Sequence, residues 1–229
     1  MFVINRKKIL SVFIFISLFL PQALLASVDT DGDGYEDAWE IKNGYSPYNP
    51  EEVKAEDSDT DKDGLSDYWE YVFHTNPEQA DSDNDGYSDY EEIDHAYDPN
   101  SGNKKRLESW IEVDREHQEL TYVVSGQAWK KFSVSTGKPS MPTPAGVYKI
   151  LNKSPKAWSK AYGLYMPYWL GLGKHGEFGI HELPVWPNGY REGEDHLGIA
   201  VSYGFTRLGV GAAKYIYERS AVASEVRIK

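Results

Sequence analysis

The sequence predicts a mostly β domain with a single helix near its C-terminal end, preceded by a smaller acidic region. Three observations lead to this fold class. Residues 107–229 contain short runs of β-branched and aromatic residues between turns, which is typical of strands. Residues 27–103 carry 24 Asp and Glu against 3 Lys, a composition that cannot build a large core. A length of 229 residues leaves room for one domain of ordinary size and one smaller unit.

The first 26 residues have the features of an export signal. A basic stretch, Arg6 to Lys8, precedes an apolar run, Ile9 to Leu20, which is too short to cross a bilayer comfortably. Small residues at Ala23 to Ala26 then offer a cleavage site near Ala26. An uncleaved N-terminal anchor is the alternative. We expect an exported protein, in the periplasm or at the cell wall or surface, with no stable membrane span after cleavage.

The chain contains no cysteine and is acidic, with a formal net charge of −12. It therefore has no disulfides, no thiolate metal sites, no thiol chemistry and no lipid anchor on a cysteine. The charge is uneven, because residues 104–229 carry 12 Asp and Glu against 18 Lys and Arg. The acidic part would repel phosphates and the basic part has no dense Lys/Arg cluster, so a nucleic-acid partner is not expected.

The acidic region repeats one pattern, D-x-D-x-D-G-x5-E, three times. Carboxylates at positions 1, 3, 5, 9 and 12, with Gly at position 6 for the sharp turn, have the spacing of an EF-hand-type calcium loop. The candidate ligands are Asp29, Asp31, Asp33, Asp37 and Glu40; Asp59, Asp61, Asp63, Asp67 and Glu70; and Asp81, Asp83, Asp85, Asp89 and Glu92. A solvated acidic turn is the alternative for a single copy. Three copies in register predict bound, structural Ca²⁺.

A turn with Asn-Pro or Asp-Pro follows each loop, at Tyr48 to Pro50, Thr75 to Pro77 and Tyr97 to Pro99. This alternation resembles the thrombospondin type 3-like repeats of bacterial surface proteins. Extracellular calcium modules have dissociation constants of about 10⁻⁴ to 10⁻³ M, which is a structural regime. Short helices are expected over Ser66 to Phe73 and Ser88 to Tyr97.

Because carboxylates repel one another and aliphatic residues are few, the acidic region is expected to fold only around calcium. Trp39, Trp69 and Tyr90 are interpreted as the local packing of each repeat. Pro99 to Arg106 reads as a linker of turn-forming residues, at which the charge changes sign. The expected division is a signal peptide over 1–26, calcium-binding repeats over 27–103 and a second domain over 104–229.

Six elements are expected in the basic part. Trp110 to Val113 and Leu120 to Val124 flank a polar turn, Asp114 to Glu119, and predict a hairpin. The remaining elements are strands over Ala128 to Thr136 and Thr143 to Ile150, a helix over Val210 to Arg219 and a strand over Val222 to Ile228.

Five short motifs follow one another in residues 134–208. They are V-S-T-G-K-P at Val134 to Pro139, T-P-A-G-V-Y at Thr143 to Tyr148, M-P-Y-W at Met166 to Trp169, G-I-H at Gly179 to His181 and S-Y-G-F-T-R-L at Ser202 to Leu208. Their order resembles the L,D-transpeptidases, the enzymes that cross-link bacterial peptidoglycan. The resemblance implies a compact β-sandwich domain with one helix after the active-site loop. The spacing between the last two motifs is longer than usual in that family, which implies an inserted loop around Pro184 to Asp195.

In active members of that family a cysteine thiolate attacks a carbonyl of a peptidoglycan stem peptide and forms an acyl-enzyme. A histidine activates the thiol, and backbone N–H groups of the loop hold the oxyanion. The resemblance implies that His181 is the base. It also implies substrate binding by the loop residues Ser202, Tyr203, Gly204 and Arg207. Arg207 would pair with a stem-peptide carboxylate or cap the following helix.

The nucleophile position departs from the family pattern. Phe205 stands where the family has its cysteine, and Tyr203 stands where it has the neighbouring histidine. A phenyl ring cannot attack a carbonyl, so we expect a non-catalytic domain that associates with peptidoglycan stem peptides. Two alternatives stay open. One is an active L,D-transpeptidase with another nucleophile, such as a serine; the other is a calcium-dependent adhesion module in which the β domain is only a scaffold.

Overall fold

The structure is a computed structural model that describes residues 28–51 and 53–229. The predicted signal peptide, residues 1–26, lies outside the described residues. The regular elements, in chain order, are α1 (Asp37–Asn43), α2 (Asp67–Phe73), α3 (Asp89–Asp94), β1 (Ser109–Asp114), β2 (Glu119–Val124), β3 (Gln127–Ser135), β4 (Gly146–Lys149), β5 (Asn152–Ser159), β6 (Leu164–Leu172), β7 (Phe178–Glu182), a 3₁₀ turn (Glu194–His196), β8 (Thr206–Leu208), α4 (Ala212–Arg219) and β9 (Glu225–Ile228). Across the described ranges, no helix combines the length and apolar character needed to span a membrane.

The strands form one curled nine-stranded sheet in the order β4-β9-β1-β2-β3-β8-β7-β6-β5. Two neighbouring pairs, β1 with β9 and β7 with β8, are parallel, and the other pairs are antiparallel. β3 joins the two halves, because most of it pairs with β2 and its last two residues pair with β8. The prediction of a mostly β domain with one C-terminal helix is confirmed.

The predicted hairpin is present as β1 and β2, with Trp110 opposite Val123. Asp114 stabilises the turn, since its carboxylate accepts hydrogen bonds from the backbone N–H groups of Glu116 and His117, both at 2.9 Å. The other predicted strands and the helix are also found; β3 is shifted by one residue from its predicted limits, and β4, α4 and β9 are shorter than predicted. No strand is predicted from the sequence between Ile150 and Val210, but β5 to β8 lie there.

The core lies between the two halves of the sheet. Ile111 and Leu120 enter it from one half, and Leu170 and Ile180 enter it from the other. α4 begins shortly after β8 and packs on β6, β7 and β8. Its buried residue Ile216 adds to the same core. The chain from β7 through β8 to α4 is therefore held on both sides by packing.

The second and third acidic repeats share this core. Leu65, Phe73, Ile93 and Ala96 belong to the same buried cluster as the strand residues. The repeats have too few aliphatic residues to bury one another, so they bury them against the β domain instead.

The interpretation of Trp69 and Tyr90 as local packing is therefore wrong, because both rings contact Trp129 of β3. Trp39 does stay within its repeat, stacked between Tyr35 and Tyr45.

The segment predicted as a linker is a packed turn. Its two ends are joined by backbone hydrogen bonds from Asp98 to Lys105 and from Leu107 to Ala96, each at 2.9 Å. Lys105 also forms an ion pair with Asp98 at 2.7 Å. The change of charge sign at this point of the sequence therefore places an acidic and a basic residue on opposite sides of the turn, where they pair.

Gly179 of β7 gives a test of how closely the strands approach beside the site. A Cβ atom there would lie 2.2 Å from the Leu170 carbonyl oxygen and 2.9 Å from the Trp169 ring. We expect Gly179→Ala to destabilise the protein by roughly 1–3 kcal/mol, because backbone in a packed sheet cannot move away freely. Urea unfolding measures the change.

Gly209→Ala is the matched control, since its new methyl would meet only a Leu197 methyl, at 3.2 Å. Equal stability losses for the two variants would contradict the close approach of β6 and β7.

Candidate functional site

A cleft of about 270 Å³ lies where β7, β8 and the preceding loop meet. The strands β7 and β8 run parallel, with His181 opposite Arg207. This pairing brings together two residues that are separated in the sequence by the inserted segment. The cleft is lined by Tyr162, Leu164, Met166, His181, Pro184, Trp186, Glu192, Tyr203, Phe205 and Arg207.

His181 is buried and neutral. Its Nδ1 lies 2.6 Å from the carbonyl oxygen of Glu182. Because a carbonyl only accepts hydrogen bonds, Nδ1 carries the proton and Nε2 is left as the acceptor. Burial, with a smaller contribution from the nearby charge of Arg207, lowers the pKa of His181 to about 3. The imidazole therefore has the protonation state of a base at neutral pH.

The phenyl ring of Phe205 packs edge-on against this imidazole. The two ring centroids are 5.6 Å apart, and the ring is also 6.0 Å from Tyr162 and from Trp169. Phe205 is half-buried, so one edge still faces the cleft. An apolar side chain thus lies beside the one neutral base that lines this cleft.

Ser202 shapes the loop through the backbone of Phe205. The Ser202 hydroxyl donates to the Phe205 carbonyl oxygen at 2.6 Å and accepts from the Phe205 N–H at 3.1 Å. Thr143 also donates to this carbonyl, at 3.1 Å, and accepts from the N–H of Gly137 at 2.9 Å. Gly204 has a φ of 90°, which a glycine adopts without strain. Three of the sequence motifs therefore brace one loop.

Tyr203 is exposed at the mouth of the cleft. Its ring lies 5.3 Å from that of Tyr162, and the Lys138 ammonium group sits 4.0 Å above it. The position that holds histidine in the family pattern is thus an aromatic surface here. Such a surface can contact a ligand.

Arg207 is buried and already paired. Its Nη1 donates to the Glu192 carboxylate at 2.6 Å, and burial lowers the pKa of the guanidinium group. Arg207 does not cap the following helix, because the N–H of Gly211 at its start donates to Glu182 at 3.2 Å. Of the two roles predicted for Arg207, only the pairing with a carboxylate fits, and in the structure that carboxylate belongs to the protein.

Glu192 comes from the segment predicted as an insertion. Residues 184–195, which we call the ribbon, run beside the start of β6 through two backbone hydrogen bonds between Val185 and Tyr165, at 2.8 and 2.9 Å. An ion pair between Arg191 and Glu182 anchors the other side. Sequence reasoning did not identify Glu192, and no local motif marks it.

The three acidic loops form three carboxylate clusters. In each one the Asp residues at positions 1, 3 and 5 offer oxygens that all lie within 4.8 Å of one another: Asp29, Asp31 and Asp33; Asp59, Asp61 and Asp63; Asp81, Asp83 and Asp85. The glycine at position 6 has a positive φ in every copy, between 96° and 102°. The predicted sharp turn is therefore present at these glycines.

The glutamates at position 12 are buried without sufficient partners. Glu70 is fully buried, and neither of its carboxylate oxygens has a hydrogen-bond partner among the described residues. Burial and then the neighbouring aspartates raise the pKa of Glu70 to about 9, that of Glu92 to about 8 and that of Glu40 to about 7. Unpaired buried carboxylates beside three more carboxylates fit a cation with oxygen ligands.

The aspartates at position 9 are held by hydrogen bonds within their own loops. In each repeat this carboxylate accepts hydrogen bonds from the backbone N–H and the hydroxyl of the residue at position 2. The pairs are Asp37 with Thr30, Asp67 with Thr60 and Asp89 with Ser82. These three side chains brace the loop, whereas the carboxylates at positions 1, 3 and 5 converge. A ligand role for position 9 stays a prediction.

Comparison with protein families gives two matches. Residues 108–228 match the L,D-transpeptidase catalytic domain. Residues 29–44, 59–79 and 81–101 match the bacterial TSP3 repeat, a calcium-binding repeat. A comparison with curated proteins returned no match.

Several solved structures are similar to this chain. The L,D-transpeptidase from Mycobacterium smegmatis is 22% identical with a TM-score of 0.46, and the alignment covers 55% of this chain and 60% of that one. The L,D-transpeptidase from Stackebrandtia nassauensis is 26% identical with a TM-score of 0.43, covering 53% and 55%. The catalytic domain of the Enterococcus faecium enzyme is 23% identical with a TM-score of 0.43, covering 54% and 98%.

The chain thus spans only about 60% of the length of the first of these relatives. The family match nevertheless extends over more than half of this chain, and it includes the cleft, the His181 strand and the loop of Phe205. This chain belongs to the L,D-transpeptidase catalytic-domain family and carries bacterial TSP3 repeats ahead of that domain.

Proposed function

We propose that this chain is an exported, non-catalytic member of its family that binds peptidoglycan stem peptides, with acidic repeats that hold structural calcium. The observation that carries the proposal is the ring of Phe205, which lies beside the neutral imidazole of His181. The sequence resemblance assigns the family's cysteine to this position. The family acts on peptidoglycan. A family cleft without a nucleophile is suited to binding rather than to acyl transfer.

The hydroxyl groups next to Phe205 are poor replacements for a thiol. Ser202 is completely buried, and its proton is already donated to a backbone carbonyl. Thr206 is also buried, which keeps its hydroxyl away from a ligand in the cleft. The chain has no cysteine elsewhere. Acyl transfer therefore has no suitable atom to begin it, and this argues against a serine-based transpeptidase.

The cleft keeps groups that can bind a peptide and a glycan. His181 offers an acceptor nitrogen, and Arg207 offers a buried cation whose partner Glu192 a ligand carboxylate would have to displace. Trp186 and Tyr190 of the ribbon are exposed, and Trp186 lines the cleft together with Tyr203 of the loop. Exposed aromatic faces on an anchored ribbon suit stacking against sugar rings or peptide planes.

Bound calcium agrees with the extracytoplasmic location that the sequence predicts for this protein. L,D-transpeptidases and TSP3 repeats are usually extracytoplasmic, in agreement with the export signal expected over residues 1–26. Ca²⁺ would be held by the Asp residues at positions 1, 3 and 5 and by the glutamate at position 12. When bound, the ion supplies the positive charge that buried Glu70 lacks, which stabilises the folded repeat.

The calcium proposal predicts three sites, one of which can be removed selectively. Glu70→Gln should reduce the calcium stoichiometry from three to two, because the amide is a weaker ligand than the carboxylate. The calcium-free protein should lose little stability at neutral pH, since Glu70 with a pKa of about 9 is protonated there and the uncharged amide replaces it without removing a hydrogen bond. Calorimetric titration and thermal unfolding in chelator measure the two quantities.

Glu78→Gln is the control for calcium binding, because it makes the same chemical change at an exposed residue of the acidic region. If Glu70→Gln bound calcium as the control does, Glu70 would not be a ligand.

The non-catalytic proposal predicts that the protein forms no covalent adduct with a carbapenem, as judged by its intact mass. The double variant Tyr203→His, Phe205→Cys should form one, because the new thiol would lie near His181. Its thiol pKa should fall below the free value of about 8.5 if the imidazole pairs with the thiolate. Loss of the ring should cost less than the roughly 3–5 kcal/mol typical of a fully buried aromatic.

The double variant Tyr203→His, Phe205→Ala is the control without a thiol. An adduct on the unmodified protein would refute the non-catalytic reading. A cysteine that reacts no faster than a free thiol would instead show that His181 no longer acts as a base in this geometry.

The binding proposal predicts that the protein co-sediments with purified peptidoglycan sacculi. The double variant Trp186→Ala, Tyr190→Ala should bind at least about tenfold more weakly, which corresponds to 1.4 kcal/mol, within the range of two aromatic contacts. Trp39→Ala is the control, because Trp39 is an exposed tryptophan of the first repeat. Failure of the unmodified protein to sediment would favour the adhesion alternative.

A further inference from the structure

Asp94, the last residue of α3, joins the third acidic repeat to the β domain. Its buried carboxylate accepts a hydrogen bond from Trp129 Nε1 at 2.9 Å and another from the Tyr215 hydroxyl. It also forms an ion pair with Arg219, through Nε at 2.9 Å and through Nη2. Trp129 lies in β3, and the other two partners lie in α4. A single carboxylate therefore ties the repeat to two elements of the β domain.

An aromatic cluster surrounds this ion pair. The ring centroid of Trp129 lies 5.3 Å from that of Trp69, 6.0 Å from that of Phe73 and 5.9 Å from that of Tyr90. Two of these three rings belong to α2 of the second repeat, and the third belongs to α3. Both repeats are thus packed on the same point of β3.

The same short helices carry the glutamates that close the calcium loops. Trp69 immediately precedes Glu70 in α2, and Glu92 lies two residues before Asp94 in α3. The two loops are also joined, because the Tyr90 N–H donates to the Asp63 carboxylate at 2.9 Å. Helices of six or seven residues are unstable alone in water. The position of α2 and α3 therefore depends on their contacts with the acidic loops on one side and with the β domain on the other.

We propose that calcium in the second and third loops clamps α2 and α3 onto the β domain, so that calcium binding stabilises β3 and α4 through Asp94 and the Trp129 cluster. β3 pairs with β8, the strand that carries Arg207, and α4 packs on β7 and β8. Calcium thereby controls the framework of the candidate site from outside it. This inference rests on the calcium sites of the proposed function and is independent of peptidoglycan binding, so a failure to bind sacculi would leave it standing.

The first repeat provides an internal control. Its tryptophan, Trp39, stacks only with Tyr35 and Tyr45 of the same repeat among the described residues. The repeat reaches the second one through a hydrogen bond from the Ser46 hydroxyl to Asp67. None of its described residues belongs to the core shared with the β domain. Calcium in the first loop should therefore leave β3 and α4 unchanged.

Hydrogen exchange followed by mass spectrometry tests the clamp in the full chain. With calcium at ten times its dissociation constant, peptides from β3 and α4 should exchange at least about tenfold more slowly than in chelator, the protection that linkage to one of the two sites gives. Asp94→Asn should abolish this calcium-dependent protection while calorimetry still shows three bound ions. Asp98→Asn is the matched control, because Asp98 pairs with exposed Lys105 of the connecting turn and not with β3 or α4.

A second pair of variants changes the proposed calcium ligands instead of the contact with the β domain. Glu92→Gln should reduce the protection of β3 and α4, whereas Glu40→Gln should leave it intact. These two variants test the clamp even if Asp94→Asn does not fold. The proposal is overturned if bound calcium leaves exchange in β3 and α4 unchanged, if Asp94→Asn keeps the full effect, or if Glu40→Gln weakens protection as much as Glu92→Gln does.

Discussion

The burial of carboxylates is the constraint on which the rest of this structure depends. A carboxylate removed from water needs a positive partner or a full set of hydrogen bonds. Three carboxylates, of which Asp94 and Glu182 are buried and Glu192 is partly buried, meet guanidinium groups of the β domain: Asp94 with Arg219, Glu182 with Arg191, and Glu192 with Arg207. These pairs fix the docked repeats and the ribbon. The closing glutamates of the acidic loops have no such partner among the described residues, which is the basis for the proposed cation.

The backbone of residue 205, and not its side chain, holds the shape of the candidate loop. Ser202 and Thr143 hydrogen-bond to the backbone N–H and carbonyl of this residue. The Phe205 ring packs against His181 and Trp169. Under the proposed non-catalytic function, this apolar packing stands where the family resemblance implies a thiol.

Much of the fold could be predicted, because its signals lie within short stretches of sequence. In the β1–β2 hairpin, for example, strand residues that alternate between apolar and polar flank a polar turn. The β5–β6 hairpin was missed for a physical reason. β5 is an edge strand that contains Pro155, and an edge is where a sheet tolerates proline, so its sequence does not have the pattern of a strand. The site residues of the loop were found because they lie within one short motif of consecutive residues, Ser202 to Leu208. Glu192 was missed because it reaches its partner, Arg207, only through the three-dimensional course of the ribbon.

By itself, the sequence determined the calcium-loop spacing, the order of the family motifs and the absence of a thiol, since each is a matter of residue types at short range. Only the tertiary structure decided that the repeats form one core with the β domain. Asp94 and Arg219 are 125 residues apart, and no local pattern joins them. The repeats cannot bury their own aromatic and aliphatic residues, so these residues pack on the nearest apolar surface that folding provides, around Trp129 of β3.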